Sequence, residues 1–263
     1  MKKISFFVIL LFFACGNNSE TSQIPLTNTK EANQDTTEKI LFNEYMKDRD
    51  LFSSQQIYEL GKLNPVDEAL TDTVFFVFRE KLLNAVREKD IFYLLEQLDP
   101  NIKVNFGSSI GVEAFTQAWQ LTSEEKTMTS PLWKELEKTL QLGGTFNPTK
   151  SLFLSNYVFA TMDEPYDPYI HAVVLGSGVR YRSAPHSKSK IVGRLSYDVV
   201  EVLDSNGPKE TIAGETHQWV KIKNLAGKEG YIFGKYLASP IDYRAGFKKI
   251  DGHWKMTFFV AGD

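Results

Sequence analysis

The sequence predicts two folded parts, an α+β head of helices on a sheet and, after it, a small all-β module. Three observations predict them. Between residues 73 and 140 apolar side chains recur at three- and four-residue spacings among charged ones. Between residues 179 and 237 short runs of alternating Val, Ile, Tyr and Trp are separated by turn residues. At residues 243–260 two such runs flank Asp251-Gly252, a strong short-range hairpin signal.

The chain opens with Met1-Lys2-Lys3, an apolar run over residues 4–14, and then Cys15, its single cysteine. That run is too short to cross a hydrocarbon core of ~30 Å as a helix, which needs about 20 apolar residues. It reads as a secretory signal, residues 1–14, cut directly before a thiol. Leu11-Phe12-Phe13-Ala14-Cys15 resembles a bacterial lipobox. The resemblance implies diacylglycerol on Cys15, cleavage before it and acylation of the new amine, a membrane anchor that does not span. Gly16 is not the aspartate that retains such proteins on an inner membrane, so the resemblance implies the outer membrane, with the protein facing the periplasm. Residues 15–39 are rich in Asn, Ser, Thr, Gln, Glu and Lys and lack aromatics, so a disordered tether is expected.

Folded sequence is expected from about Ile40. Residues 73–89 place Val74, Phe75, Val77, Phe78, Leu82, Leu83 and Val86 on one broad face of a helix. Asp90 is positioned to cap a second helix over residues 91–98. Asp99-Pro100-Asn101 should break it, and Ile102 to Phe106 alternates as a half-buried strand. A third helix is expected over residues 112–121, and a fourth from about Ser130, with Pro131 in its first turn, to Gly143-Gly144. Trp133, Leu136 and Leu140 fall at core spacing. Two helices, a strand and a helix opened by Gly111-Val112-Glu113-Ala114-Phe115 resemble the start of the nuclear-transport-factor-2-like, or cystatin-like, α+β fold. The resemblance implies helices on a curved antiparallel sheet in residues 40–168. The hairpin at residues 241–263 is placed to complete that sheet, with the segment between as an insertion.

Between them, residues 169–240 carry Val179-Arg180-Tyr181-Arg182-Ser183-Ala184-Pro185, Ile191 to Leu195, Val199 to Leu203, Trp219-Val220-Lys221-Ile222, Gly227 to Ile232 and Tyr236-Leu237. These resemble a bacterial SH3-like domain, which implies a small five-stranded barrel that binds peptidoglycan or another protein and carries no catalytic residues. Two departures stand out: Ser196-Tyr197-Asp198 where the family usually has a glycine, and a long central loop, residues 206–217. Clefts on such barrels are aromatic, because flat rings give contact area at low entropic cost. Tyr181, Trp219, Tyr231 and Tyr236 are the candidates; Trp219 reads first as core, and Tyr181, beside the turn, is expected to be exposed.

Composition excludes other classes. Without the signal the chain is acidic by five charges, with residues 16–175 at minus ten and residues 176–263 at plus five. A nucleic-acid partner would demand a basic face instead. With Cys15 lipidated, disulfides, thiolate metal sites and a cysteine nucleophile are excluded together. His171, His186, His217 and His253 show no metal-ligand spacing. Gly107-Ser108-Ser109-Ile110-Gly111 lacks the lysine of a phosphate loop and reads as a helix-start turn. Asp163-Glu164-Pro165-Tyr166-Asp167-Pro168 reads as a rigid connection before it reads as a calcium site, and Glu124-Glu125 as part of a polar loop. No cofactor is expected. The expected function is that of a non-enzymatic envelope lipoprotein whose SH3-like part binds peptidoglycan or an envelope protein. The alternatives are a small-molecule or enzymatic pocket in the α+β cone, and an assembly subunit of an envelope complex.

Overall fold

Helix α1 (Thr27–Tyr45) occupies part of the stretch expected to be an unstructured tether. The computed structural model describes residues 27–47 and 52–262, so the signal and Cys15 lie outside the described residues. The second half of α1 has what the composition of residues 15–39 lacks: Leu41, Phe42 and Tyr45 pack on the head's core, with the Phe42 and Phe76 rings 4.9 Å apart.

A hairpin of β1 (Tyr58–Glu59) and β2 (Lys62–Leu63) leads to α2 (Thr73–Glu88), where the Asp72 side chain accepts from Phe75 N at 2.9 Å. Asp90 caps α3 (Ile91–Glu96) in the same way, accepting from Tyr93 N at 3.0 Å. Then come β3 (Leu98–Lys103), α4 (Val112–Ala118), α5 (Glu124–Thr129) and α6 (Leu132–Gln141). Short β4 (Thr145–Phe146), β5 (Leu152–Ser155) and α7 (Tyr157–Thr161) follow. Two expectations change here. Glu124 and Glu125 open a helix rather than lying in a loop, with Ser123 as its cap and the helix dipole favouring both carboxylates. The strand expected at Ile102 starts at Leu98 and includes Pro100, which is tolerated because β3 is the edge of its sheet.

The next strands are β6 (His171–Val174), β7 (Val179–Arg182), β8 (Ile191–Leu195), β9 (Val199–Asp204) and β10 (Lys209–Ile212). They continue as β11 (Glu215–Asn224), β12 (Glu229–Phe233) and β13 (Leu237–Ala238), with a 3₁₀ turn at Gly234–Tyr236. The last pair is β14 (Arg244–Ile250) and β15 (His253–Val260), joined at Asp251 and Gly252, whose φ angles of 50° and 82° are those of a tight hairpin turn.

Two main sheets result. The head's sheet runs β3-β15-β14-β5-β4, so strands from both sides of residues 171–238 share it. It is mixed rather than wholly antiparallel, because β3 leaves α3 in the direction in which β15 leaves its turn, and the two pair in parallel. One face meets the helices in a core holding Phe75, Phe76, Leu82, Leu136, Phe247 and Phe259. Inside that core Arg79 donates from Nη1 and Nη2 to the two carboxylate oxygens of Asp67 at 2.6 and 2.7 Å, with Glu80 at 3.2 Å.

The second sheet is antiparallel, eight-stranded, and runs β13-β6-β9-β11-β12-β7-β8 with β10 on the side of β11. Its end strands β13 and β8 do not pair with each other among the described residues, so hydrogen bonding does not close the barrel that was expected. Val174, Tyr181, Val200, Ile222 and Ile232 fill its core. A third apolar cluster joins Leu63, Val66, Tyr157 and Val158 to Val173, Val199 and Ala238. Residues 38–263 accordingly form one unit. Among the described residues no helix is long and apolar enough to cross a membrane.

Candidate functional site

The eight-stranded sheet carries a groove of about 370 Å³. One wall is β7 and the turn before it, contributing Ser177, Gly178, Val179, Arg180 and Arg182. The other is Ile212 and Trp219 of the β10–β11 hairpin, with Phe233 and Tyr236 at the end of β12. Alternation along β7 makes the first wall: Val179 and Tyr181 turn inward, leaving Arg180 and Arg182 on the other face. Arg182 is held by donating from Nη1 to Ser189 O at 2.7 Å, while Arg180 is exposed.

The hairpin wall is fastened from behind by Glu210. Its Oε2 accepts from Trp219 Nε1 at 2.7 Å and from Ser187 N at 2.9 Å, and its Oε1 from the Ser187 hydroxyl. The Ser187 hydroxyl bond, which outweighs the opposing desolvation, holds this carboxyl below its ordinary range, with the Trp219 bond adding to it. The indole edge is thereby fixed, and the Trp219, Phe233 and Tyr236 rings step along the groove at 5.6 and 6.4 Å between centroids. His217 packs edge-on to Phe233 at 5.3 Å. The lining therefore presents aromatic faces and two guanidiniums and, among the described residues, no carboxylate.

Tyr181 is not exposed as expected; it is buried at 3%, its ring lying against the backbone of Gly193 and Gly230, where an added Cβ would come within 2.7 Å of it. The turn beside it misled, because period two pairs Tyr181 with core residue Val179. Trp219 is buried at 2%, in agreement with a core reading, yet it also walls the groove. Tyr236 lines the groove and is 39% exposed. Tyr231 is half-buried two residues before Phe233 on β12 and does not line it. Arg180, Arg182, Ile212, Phe233 and Glu210 escaped the sequence reading; for the arginines the alternation in Val179-Arg180-Tyr181-Arg182 was the available signal.

The two departures from the SH3-like pattern acquire structural meaning. Tyr197 adopts φ 59°, the left-handed conformation that a glycine would take at that turn. The long central loop is the β10–β11 hairpin, turned by Ala213 and Gly214 at φ 52° and 84°; it supplies Ile212 to the groove and Glu210 behind its wall. Elsewhere, among the described residues no group of three or more His, Cys, Asp or Glu side chains is placed to hold a metal ion. Gly111 precedes α4 without a side-chain cap.

Residues 177–238 match the family of bacterial SH3 domains. That stretch contains both walls of the groove. No curated protein matches the chain.

Proposed function

We propose that this is a non-enzymatic envelope lipoprotein, anchored through lipidated Cys15 in the outer membrane and facing the periplasm, whose groove reads peptidoglycan. What carries the reading is the groove itself: Trp219, Phe233 and Tyr236 beside Arg180 and Arg182, within the bacterial SH3 match. Bacterial SH3 domains bind peptidoglycan or proteins in general, and the chemistry of this lining favours the former. Planar guanidinium forks pair with carboxylates two hydrogen bonds at a time, and peptidoglycan stem peptides carry several carboxylates. Aromatic faces accept the apolar backs of sugars and of small side chains. A membrane tether raises the local concentration of a weak reader at the wall, so a modest intrinsic affinity suffices.

A titration with soluble stem-peptide fragments, followed by tryptophan fluorescence against Trp219→Phe as the silent reference, tests the reading. A saturable change in the wild-type chain that Arg180→Glu weakens supports it. If an envelope protein occupies the groove instead, the fragments leave the fluorescence unchanged, and crosslinking from residue 236 in intact cells captures a protein.

A further inference from the structure

A second cavity, about 350 Å³, lies on the five-stranded sheet, outside the bacterial SH3 match. Alternation along β14, and along β15 with a bulge at Thr257 that resets its period, sends Ala245, Phe247, Met256 and Phe259 into the helix-side core and leaves Arg244, Phe258 and Val260 on the opposite face, where they line this cavity. The segment running out of β3 adds Lys103, Asn105 and Phe106, and α7 adds Phe159. Gly246 shapes the floor: a Cβ there would come within 2.0 Å of the Phe258 ring, so the missing side chain lets that ring lie down on the sheet.

The charged side chains among the described lining residues are Arg244 and Lys103. The Arg244 guanidinium, 6% exposed, sits 4.9 Å from the Phe106 centroid and 4.7 Å from that of Phe159, and donates to the carbonyl of Gly262 at 2.5 Å. It is a fixed cation framed by rings. Lys103 stands exposed at the mouth and makes no ion pair among the described residues. Asn105 accepts from Gly107 N at 2.9 Å through Oδ1, which leaves its amide N–H groups to donate. Among the described residues no carboxylate lines the cavity, and Phe106 remains 56% exposed.

We propose that this cavity binds an amphipathic anion, a single carboxylate, phosphate or sulfate on an apolar body. The anionic group meets Lys103 Nζ and the Asn105 amide; the body lies on Phe106, Phe258 and Val260. The volume is near the lower end of the ~300–1,000 Å³ of small-molecule sites, which sets the body at a short acyl chain or a fused ring pair.

The test uses the chain from Gly16, which retains every described residue, and two probes with the same aromatic body. One is 8-anilino-1-naphthalenesulfonate; the other is its neutral counterpart, N-phenyl-1-naphthylamine. The expected result is saturable binding of the sulfonate at one per chain, weakened about tenfold by Lys103→Glu while the neutral probe is unchanged. Phe106→Ala weakens both, and sodium decanoate displaces the sulfonate. Both positions are exposed, so thermal melts of the variants should match the parent's. Arg180→Glu, in the groove of the other sheet, leaves sulfonate binding intact, which separates this site from the peptidoglycan reading. The proposal is overturned if neither probe saturates, if Lys103→Glu weakens both probes alike or neither, or if Arg180→Glu rather than Lys103→Glu weakens the sulfonate.

Discussion

Replacing Asp67 by alanine strands the Arg79 guanidinium in the head's core. Both groups are out of solvent, with Arg79 at 0% and Asp67 at 1%, and the pair is bidentate at 2.6 and 2.7 Å. Arg79 Nε is already buried without a hydrogen-bond partner, so the guanidinium has no reserve of contacts on that side. Breaking a buried pair costs ~3–5 kcal/mol because a charge is left uncompensated. Glu80 Oε1, 3.2 Å from Nη2, keeps part of the compensation and places the cost at the lower end, about 3 kcal/mol. For a unit of this size each kcal/mol moves Tm by ~2–4 °C, so calorimetry should find Asp67→Ala melting roughly 6–12 °C below the parent. The double variant Asp67→Leu with Arg79→Met removes both charges and should recover most of that loss. A single variant melting within about 2 °C of the parent, or a double variant no better than the single, would refute the reasoning.

Tyr181→Ala removes a core ring pressed against Gly193 and Gly230, and loses about 3–5 kcal/mol by denaturant unfolding; Tyr236→Ala, at an exposed position, changes stability little. The Glu210 carboxyl is held low, so its bonds to Trp219 and Ser187 stabilise the hairpin wall above the ordinary carboxylate range near 4.3 and are lost as pH falls through the depressed value. The Trp219 contribution to fluorescence, taken as the difference from Trp219→Phe, should hold steady down to the ordinary carboxylate range and change only as pH falls below it; Glu210→Gln should abolish that step. Truncation after Leu237 deletes β14 and β15, which occupy the middle of the head's sheet, and the far-ultraviolet helical signal should collapse with it. A truncated chain that keeps its helices and melts cooperatively contradicts that sheet order.

Elements whose signals are local could be read directly from residues. Asp90 starts α3, and Asp251-Gly252 turns the last hairpin. The elements that escaped are held by tertiary partners. Strand β10 reads Lys209-Glu210-Thr211-Ile212, with no apolar alternation, and exists because β11 pairs with it and Trp219 binds its carboxylate. Strand β5 is four residues long and is ordered between β14 and β4. Tyr236 in the groove was legible as an aromatic near the end of the motif. Arg180, Ile212 and Phe233 converge from three separate strands, β7, β10 and β12, a juxtaposition that no single stretch of sequence displays.

Co-sedimentation with purified insoluble peptidoglycan tests the central claim most directly, comparing the chain from Gly16 with Tyr236→Ala and with Arg180→Glu/Arg182→Glu at physiological salt. The account predicts that the parent pellets with the wall material, that Tyr236→Ala pellets several-fold less, and that the double arginine variant stays in the supernatant while all three melt alike. A parent chain that stays in the supernatant, or variants that pellet as well as it does, would contradict a groove that reads peptidoglycan.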